Sequence, residues 1–373
     1  MTRTRTNLKI FIIAGEVSGD VLGAKIMHAM PDVEFIGIGG KNMTEMGLKT
    51  LFPISDLAVM GIFEVLAHAR TLTNRIKQTV DAILQEKPDI VLTIDSPGFA
   101  KAVVKGVKKH KLLDKTKFYH VVAPQVWAWG KKRAKKYAKI FDKLYAFFDF
   151  EVPYFTKYGL DTIAVGHPIA DGLDKYKSNG ENKKIITFVP GSRMSEVKKL
   201  LPVFHATIDM LSRRGFTDYT YVIPTVETTD EYIKQHIQNW DIKPNVVPAD
   251  ARYDLYANTY IAVVASGTVS AELAIMHIPT IVVYKMNFFT TLLAHILLKI
   301  KWVSLVNLLM NKTIFPELLG KKATPSNIID CIQQLTLPSV RADMLDELTR
   351  ADNKWKHGGH KAADVIAKDI LKF

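Results

Sequence analysis

The chain has 373 residues, 48 % of them hydrophobic, which suits one or two domains with cores of their own and excludes an intrinsically disordered chain. Fifty Lys and Arg against 37 Asp and Glu leave a net charge of +13, which favours anionic partners: nucleic acid, an anionic membrane surface or phosphorylated substrates. The single cysteine, Cys331, excludes an intrachain disulfide and fits a reducing cytoplasm.

Arg3 and Arg5 precede an apolar run, as in a signal peptide, but Ile10 to Ala14 is too short for such a segment and Gly15-Glu16 interrupts it. It reads as a first β-strand. From there the N-terminal half alternates strand and helix. Strands are predicted over Lys9–Ile13, Val33–Ile38, Ile90–Ile94, Lys117–Val122, Lys143–Ala146 and Thr162–Val165, with helices at Val21–Ala29 and Ala69–Gln85 among those between them. Short apolar strands in alternation with helices indicate a buried parallel sheet.

Such a sheet presents its ligands at the carboxyl ends of its strands. The first strand runs into Ala14-Gly15-Glu16-Val17-Ser18-Gly19-Asp20, where Glu16 can orient an acceptor or simply hydrogen-bond the next loop. Ile90–Ile94 ends in Asp95-Ser96-Pro97-Gly98. A carboxylate there can act as a general base, and an Asp opening a turn before Ser-Pro is the plainer alternative.

Between these two lies Ala58 to Leu66, apolar and followed by Arg70, Arg75 and Lys77. An apolar surface beside cations suits docking on an anionic bilayer or holding acyl chains, with Met60, Ile62, Phe63, Leu66, Arg70 and Arg75 as the contacts. A core helix fits the same pattern. Further on, Val126-Trp127-Ala128-Trp129-Gly130 leads into Lys131-Lys132-Arg133-Ala134-Lys135-Lys136. Aromatics among cations can bind nucleic acid, but no other nucleic-acid motif accompanies them, so a solvated basic helix or an anionic-lipid contact fits better.

Residues 171–182 are polar and punctuated by glycine, the expected linker. The domains expected on either side are 1–170 and 183–351, with a C-terminal helix of about 352–373 packing back on the first. The second half repeats the style of the first. Strands are predicted over Ile185–Val189, Tyr219–Ile223, Asn245–Val247, Ile261–Val264 and Thr280–Val283, with helices over Val197–Leu211 and Ser270–Met276. Phe288 to Met310 is apolar but is divided by His295, Lys299 and Lys301 into pieces too short to span a bilayer.

Two turns of this half suit phosphate. Gly191-Ser192-Arg193 joins a buried strand to a helix, where glycine lets an anion approach the backbone, helix N–H groups favour it and Arg193 can clamp a diphosphate. Ser266-Gly267-Thr268 opens another helix, with Glu272 one turn on, placed for ribose hydroxyls. The structural alternatives are an ordinary strand-to-helix turn with a surface arginine for the first, and an N-capping threonine with a first-turn glutamate for the second. The 11 histidines show no spacing that calls for a metal, so no metal and no cofactor are expected. His120 and His167 sit near strand ends and can face the site, though satisfied structural histidines are the commoner case.

In order along the chain, these segments resemble the lipid-A-disaccharide synthase family. The resemblance is carried by Ala14-Gly15-Glu16-Val17-Ser18-Gly19-Asp20, Ala58-Val59-Met60-Gly61 with Glu64-Val65-Leu66, Ile94-Asp95-Ser96-Pro97, and Pro124-Gln125-Val126-Trp127-Ala128-Trp129. Gly166-His167-Pro168-Ile169-Ala170-Asp171, Pro190-Gly191-Ser192-Arg193 with Glu196-Val197, Ala265-Ser266-Gly267-Thr268 with Glu272, and Val303 to Leu309 complete it. It implies an α/β protein of two Rossmann-like domains facing a cleft, of GT-B type. It implies an inverting transfer from UDP-2,3-diacylglucosamine to 2,3-diacylglucosamine 1-phosphate, giving the β-1,6 disaccharide 1-phosphate and UDP. A Gram-negative source and a cytoplasmic enzyme held peripherally on the anionic inner-membrane surface follow, with no nucleic acid as partner.

Carried onto this chain, the resemblance makes Asp95 the favoured catalytic residue and places Glu16, Arg193, Glu272 and Asn307 in the site. Where the family often has a second Asp, this chain has Gly98, so a two-carboxylate scheme centred there is not available. The chemistry suits the residues: one in-line displacement needs a base, Asp95, and a stabiliser for departing UDP, which Arg193 and the helix N-termini at Gly191 and Gly267 can supply without a metal. The alternatives are a UDP-N-acetylglucosamine 2-epimerase or another GT-B enzyme on a soluble UDP-sugar, which would not need the apolar–basic segment. A non-enzymatic nucleotide- or membrane-binding protein would not need Asp95.

Overall fold

The computed structural model describes residues 8–57, 69–110, 115–128, 130–178, 183–285 and 301–373. The chain divides into two compact units, one of Met1–Pro168 with Lys356–Phe373, the other of Ile169–Trp355.

The first unit is built on a six-stranded sheet in the order β2-β1-β3-β4-β5-β6, with β1 Lys9–Ala14, β2 Glu34–Ile38, β3 Ile90–Ile94, β4 Lys117–Val121, β5 Lys143–Ala146 and β6 Asp161–Ala164. Every pairing is parallel. Burial on both faces explains the unbroken apolar runs of β1 and β3. On one face Val80, Ile83 and Val103 of two helices pack with Phe11, Val91 and Phe118. On the other, Ile10, Ile12 and Leu92 meet Leu22 and Ile26 of the helix Val17–His28. The C-terminal helix Ala362–Ile370 closes that face with Ala363, Ile366 and Ile370. Tyr145 donates to Asp369 at 2.9 Å and Lys143 pairs with it at 2.6 Å.

The second unit repeats the plan in the order β12-β11-β10-β7-β8-β9, again parallel throughout. Its strands are β7 Ile185–Val189, β8 Thr220–Pro224, β9 Asn245–Val247, β10 Ile261–Ala265, β11 Thr280–Tyr284 and β12 Glu317–Leu319. The helix Met194–Arg213 continues through Pro202, which faces solvent on the side away from buried Val203 and Phe204. The described part of the expected linker, residues 171–178, belongs to this unit. Tyr176 stacks on Tyr253 with ring centres 5.4 Å apart, and the Ser178 N–H donates to the Met276 carbonyl at 3.0 Å. Aromatic stacking and a backbone hydrogen bond hold a stretch that composition alone marks as a spacer.

Both sheets are doubly wound, and each has one point where successive strands turn to opposite sides: between β1 and β3 in the first, between β7 and β10 in the second. Loops at such a point splay apart and leave a crevice at the carboxyl ends of the two strands. Among the described residues no helix is long and apolar enough to cross a membrane.

Candidate functional site

In the second unit the two turns singled out for phosphate are brought together at that switch point. β7 pairs with β10 through Val189 and Val264, so Gly191-Ser192-Arg193 and Ser266-Gly267-Thr268 leave adjacent strands side by side. They border a cavity of about 280 Å³, completed by Pro224, Thr225 and Val226 after β8, by Ala249, Arg252 and Tyr256, and by Glu196 and Glu272.

Gly191 has φ +104, a backbone conformation that favours glycine, and a Cβ there would displace the Glu196 carboxylate. Gly267 is extended, with open space where a Cβ would stand; its role is to leave the start of the helix Thr268–Ile275 accessible. Arg193 pairs with Glu196 at 3.2 Å, yet its side chain remains 75 % exposed. An exposed pair of this kind is worth a fraction of a kcal/mol, so Arg193 loses little in turning to an anion.

Glu272 is held by an arrangement that the sequence did not disclose. Its Oε1 accepts from the Tyr253 hydroxyl at 2.9 Å, and that hydroxyl accepts from Arg252 Nη2 at 3.0 Å. Burial and the Glu272 charge hold the Tyr253 and Tyr256 phenols above their ordinary pKa, so both stay protonated donors. The signal for Arg252, Tyr253 and Tyr256 was weak: a short helix, Arg252–Ala257, after the three-residue strand β9. Asn307, expected at the donor, does not line this cavity. It is fully buried and spends its amide on its own loop: Nδ2 donates to the Phe315 carbonyl at 2.8 Å and to Glu317 at 2.9 Å, and Oδ1 accepts from the Ile314 and Phe315 N–H groups.

In the first unit the switch point carries two carboxylates. Ala14 pairs with Ile94, so Glu16, two residues past β1, and Asp95, directly after β3, stand at the ends of neighbouring strands. Burial, and then the charge of Asp95, raise the Glu16 carboxyl above its ordinary pKa. Asp95 and Ser96 both adopt left-handed backbone, φ +56 and +43, and Val122 at the end of β4 has φ +81. For serine and a β-branched residue these are strained conformations, of the kind that collects at functional sites. The Asp95 N–H still reaches the Val121 carbonyl at 3.1 Å, and Asp95 Oδ1 accepts the Ser96 N–H at 2.8 Å, which fixes the carboxylate on its own turn. Gly15 admits this turn: a Cβ on it would lie 1.9 Å from the Ser96 hydroxyl. Gly98 lies in the first turn of the helix Pro97–Lys108 with open space around it, so Glu16, not position 98, supplies the second carboxylate.

Asp20, in the same N-terminal motif, is structural. It is 2 % exposed and accepts from the N–H groups of Gly40, Asn42 and Met43 and from the Asn42 amide. His120 does not face open solvent. It is buried, hydrogen-bonded to Thr93 at 2.7 Å and stacked on Phe141, and burial pushes its pKa down to about 3. His167 lies against Phe147 and Phe148, and burial lowers it to about 4.

Of the expected membrane or acyl-chain contacts, Met60, Ile62, Phe63 and Leu66 lie outside the described residues. Arg70 is exposed. Arg75 is already engaged: it pairs with Asp56 at 2.6 Å, donates to Gln78 and lies 4.7 Å over the Phe52 ring. It anchors its helix rather than offering a loose cation.

Two doubly wound α/β units, one with two glycine-containing turns around a cavity and one with two carboxylates at its switch point, have the architecture of a GT-B type glycosyltransferase. Solved structures share that fold. The UDP co-structure of S. aureus MnaA aligns with a TM-score of 0.64 at 16 % identity, covering 97 % of this chain and 96 % of that one. Acinetobacter baumannii MurG aligns with a TM-score of 0.60 at 11 % identity, covering 99 % and 100 %. In sequence, the family model for lipid-A-disaccharide synthetase matches residues 10–354. The lipid-A-disaccharide synthase of Rhodospirillum centenum is 37 % identical over 98 % of this chain and 95 % of its own length. That of Rickettsia canadensis is 38 % identical over 98 % and 97 %. The chain belongs to the lipid-A-disaccharide synthetase family and is a glycosyltransferase.

Proposed function

We propose that the protein joins UDP-2,3-diacylglucosamine to 2,3-diacylglucosamine 1-phosphate, giving the β-1,6 disaccharide 1-phosphate and UDP with inversion at the anomeric carbon. The observation that carries this reading, beyond family membership, is the division of labour between the switch points: diphosphate-type loops at one, a carboxylate pair at the other.

Asp95 takes the proton of the acceptor 6-hydroxyl as that oxygen bonds to the donor C1 and the bond from C1 to the diphosphate oxygen breaks. The charge released on UDP falls to Arg193 and to the first-turn N–H groups of the helices that follow Gly191 and Gly267. Glu272, its Oε1 held by Tyr253, receives ribose hydroxyls on its remaining oxygen. Glu16, whose carboxyl holds its proton more tightly than usual, orients the acceptor hydroxyl. The reaction needs no metal in this scheme. We further propose a peripheral position on the anionic inner membrane, because both substrates carry acyl chains and the chain has a charge of +13.

The test is product analysis. Purified protein with both acylated substrates should yield a disaccharide 1-phosphate and stoichiometric UDP by mass spectrometry, with a β linkage by NMR. Conversion of the donor to its 2-epimer, or UDP release without a disaccharide, would replace this reading with an epimerase or a hydrolase.

A further inference from the structure

Beside Asp95 lies a group of cations that the scheme above leaves unused. Lys101 stands on the second turn of the helix Pro97–Lys108, half-buried, with Nζ 5.7 Å from the centre of the Tyr137 ring. Arg133, at the start of the helix Arg133–Ala138, donates from Nη2 to the Gln125 carbonyl at 3.2 Å. Burial, and then the positive charges of Arg133, Lys105 and Lys136, lower the pKa of Lys101. No carboxylate among the described residues pairs with it.

A half-buried ammonium among other cations is unfavourable unless something negative joins it. A second observation points the same way. Tyr137 is 1 % exposed and its hydroxyl has no partner, and neither does Nε2 of the adjacent, equally buried His120, whose ring is tilted against it with centres 5.4 Å apart. The Tyr137 oxygen lies within electrostatic reach of both Arg133 and Asp95. An unmade hydrogen bond on a buried hydroxyl costs free energy that a ligand oxygen can recover.

We propose that Lys101 and Arg133, with the Tyr137 hydroxyl beneath them, form the subsite for the phosphate monoester of the acceptor. This rests on the acceptor assigned above. Ammonium, guanidinium and phenol donors together match a phosphate with three acceptor oxygens. On the acceptor ring, C1 and C5 both adjoin the ring oxygen, so the 1-phosphate and the 6-hydroxymethyl group lie at the same end. A phosphate held at Lys101 and a hydroxyl presented to Asp95 then belong to one bound sugar. The subsite also explains why a 1-phosphorylated acceptor would be chosen over a neutral one.

The experiment compares 2,3-diacylglucosamine 1-phosphate with its dephosphorylated form as acceptor, under saturating donor, in wild type, Lys101→Gln and Lys101→Arg. Loss of the phosphate should lower wild-type kcat/KM by about 10- to 100-fold, and Lys101→Gln should cause a similar loss on the phosphorylated acceptor. The two losses should not add, and Lys101→Arg should restore part of the activity. Lys136→Gln, on the exposed rim, should give a smaller loss in the same direction. Far-UV circular dichroism should match wild type in all three variants, which shows that the first unit folds, and UDP affinity, a property of the second unit, should be unchanged.

Additive losses, or a wild type indifferent to the acceptor phosphate, would overturn the proposal. So would weakened sedimentation of Lys101→Gln with anionic vesicles at unchanged acceptor discrimination, since the cluster would then serve lipid headgroups. Absence of disaccharide from wild type with either acceptor would instead overturn the proposed function itself.

Discussion

Glu16 and Asp95 stand at the carboxyl ends of adjacent parallel strands, and the charge of Asp95 adds to burial in raising the Glu16 carboxyl. Two such groups divide acid and base roles, because each makes the other's second charge harder to place. Asp95→Asn should lower turnover by about 10²- to 10⁴-fold while leaving UDP affinity unchanged. It should also bring the Glu16 carboxyl down towards its ordinary value, seen by carbon NMR titration of labelled glutamate. Turnover within a factor of a few of wild type would pass the role of base to Glu16.

At the donor crevice, Arg193 and the chain Glu272–Tyr253–Arg252 differ in how they are held, so their variants should differ in kind. Arg193→Ala should weaken UDP by about tenfold or more and reduce turnover with it, leaving acceptor KM unchanged. Tyr253→Phe removes one hydrogen bond to Glu272 and the ring stacking on Tyr176 remains. A loss of about two- to tenfold in UDP affinity is expected, by calorimetry. UDP affinity unchanged in both variants would mean that the diphosphate is held by backbone N–H groups alone.

The central strands were legible because a doubly wound sheet buries them on both faces and leaves each a short, largely apolar run. The expected and observed ends of Ile90–Ile94, Lys143–Ala146 and Ile185–Val189 coincide. β12, Glu317–Leu319, was not predicted. The turns at Glu16, Asp95, Gly191 and Ser266 were legible because loops at strand ends keep polar and glycine residues within apolar sequence. What was not legible depends on partners far along the chain. Asp20 is drawn into a cap by residues 40–43, and Asn307 into a loop by Phe315 and Glu317. Arg75 is tied to Asp56, and Tyr253 to Glu272. A motif shows that a residue type recurs at a place in the chain, not which neighbour uses it.

Asn307 turns that distinction into a measurement. Its amide makes four hydrogen bonds inside the fold, and Glu317 also accepts from the Val303 and Ser304 N–H groups and the Ser304 hydroxyl. Asn307→Ala leaves buried donors and acceptors unpaired and should destabilise the second unit by about 2–4 kcal/mol. Below the melting temperature UDP affinity should stay within about threefold of wild type. A large loss of UDP affinity with unchanged melting would restore Asn307 to the donor site.

The membrane assignment is tested with vesicles. Sedimentation with anionic vesicles should weaken as salt rises, because surface charges are screened over roughly 10 Å at 0.1 M. Replacing Phe63 and Leu66 by serine should reduce vesicle binding or use of acylated substrates, with UDP affinity unchanged. Arg75→Ala should instead lower stability, since it removes the pair with Asp56. Vesicle binding unaffected by the double replacement would leave the basic helix Arg133–Ala138 as the contact.

Glu151 gives a pH dependence of defined sign. It is 5 % exposed; Oε1 accepts from Trp127 Nε1 at 3.3 Å and Oε2 from the Phe148 N–H at 3.2 Å. Burial outweighs these hydrogen bonds and raises its pKa from 4.5 to about 7. A carboxyl raised on folding binds its proton more tightly in the folded state. Its contribution to stability is therefore complete below about pH 4.5 and is lost as pH rises through about 7. A rise of roughly 2.5 pH units corresponds to about 3 kcal/mol at 1.36 kcal/mol per unit. Glu151→Gln cannot ionise, so this slope should vanish from the variant. Denaturant unfolding of both proteins between pH 4.5 and 8 isolates the effect, because the other titrating groups cancel in the difference. The variant should gain on wild type by up to about 3 kcal/mol across that range. Parallel stability curves would mean that Glu151 stays ionised in the folded protein, with the Trp127 and Phe148 donors outweighing its burial.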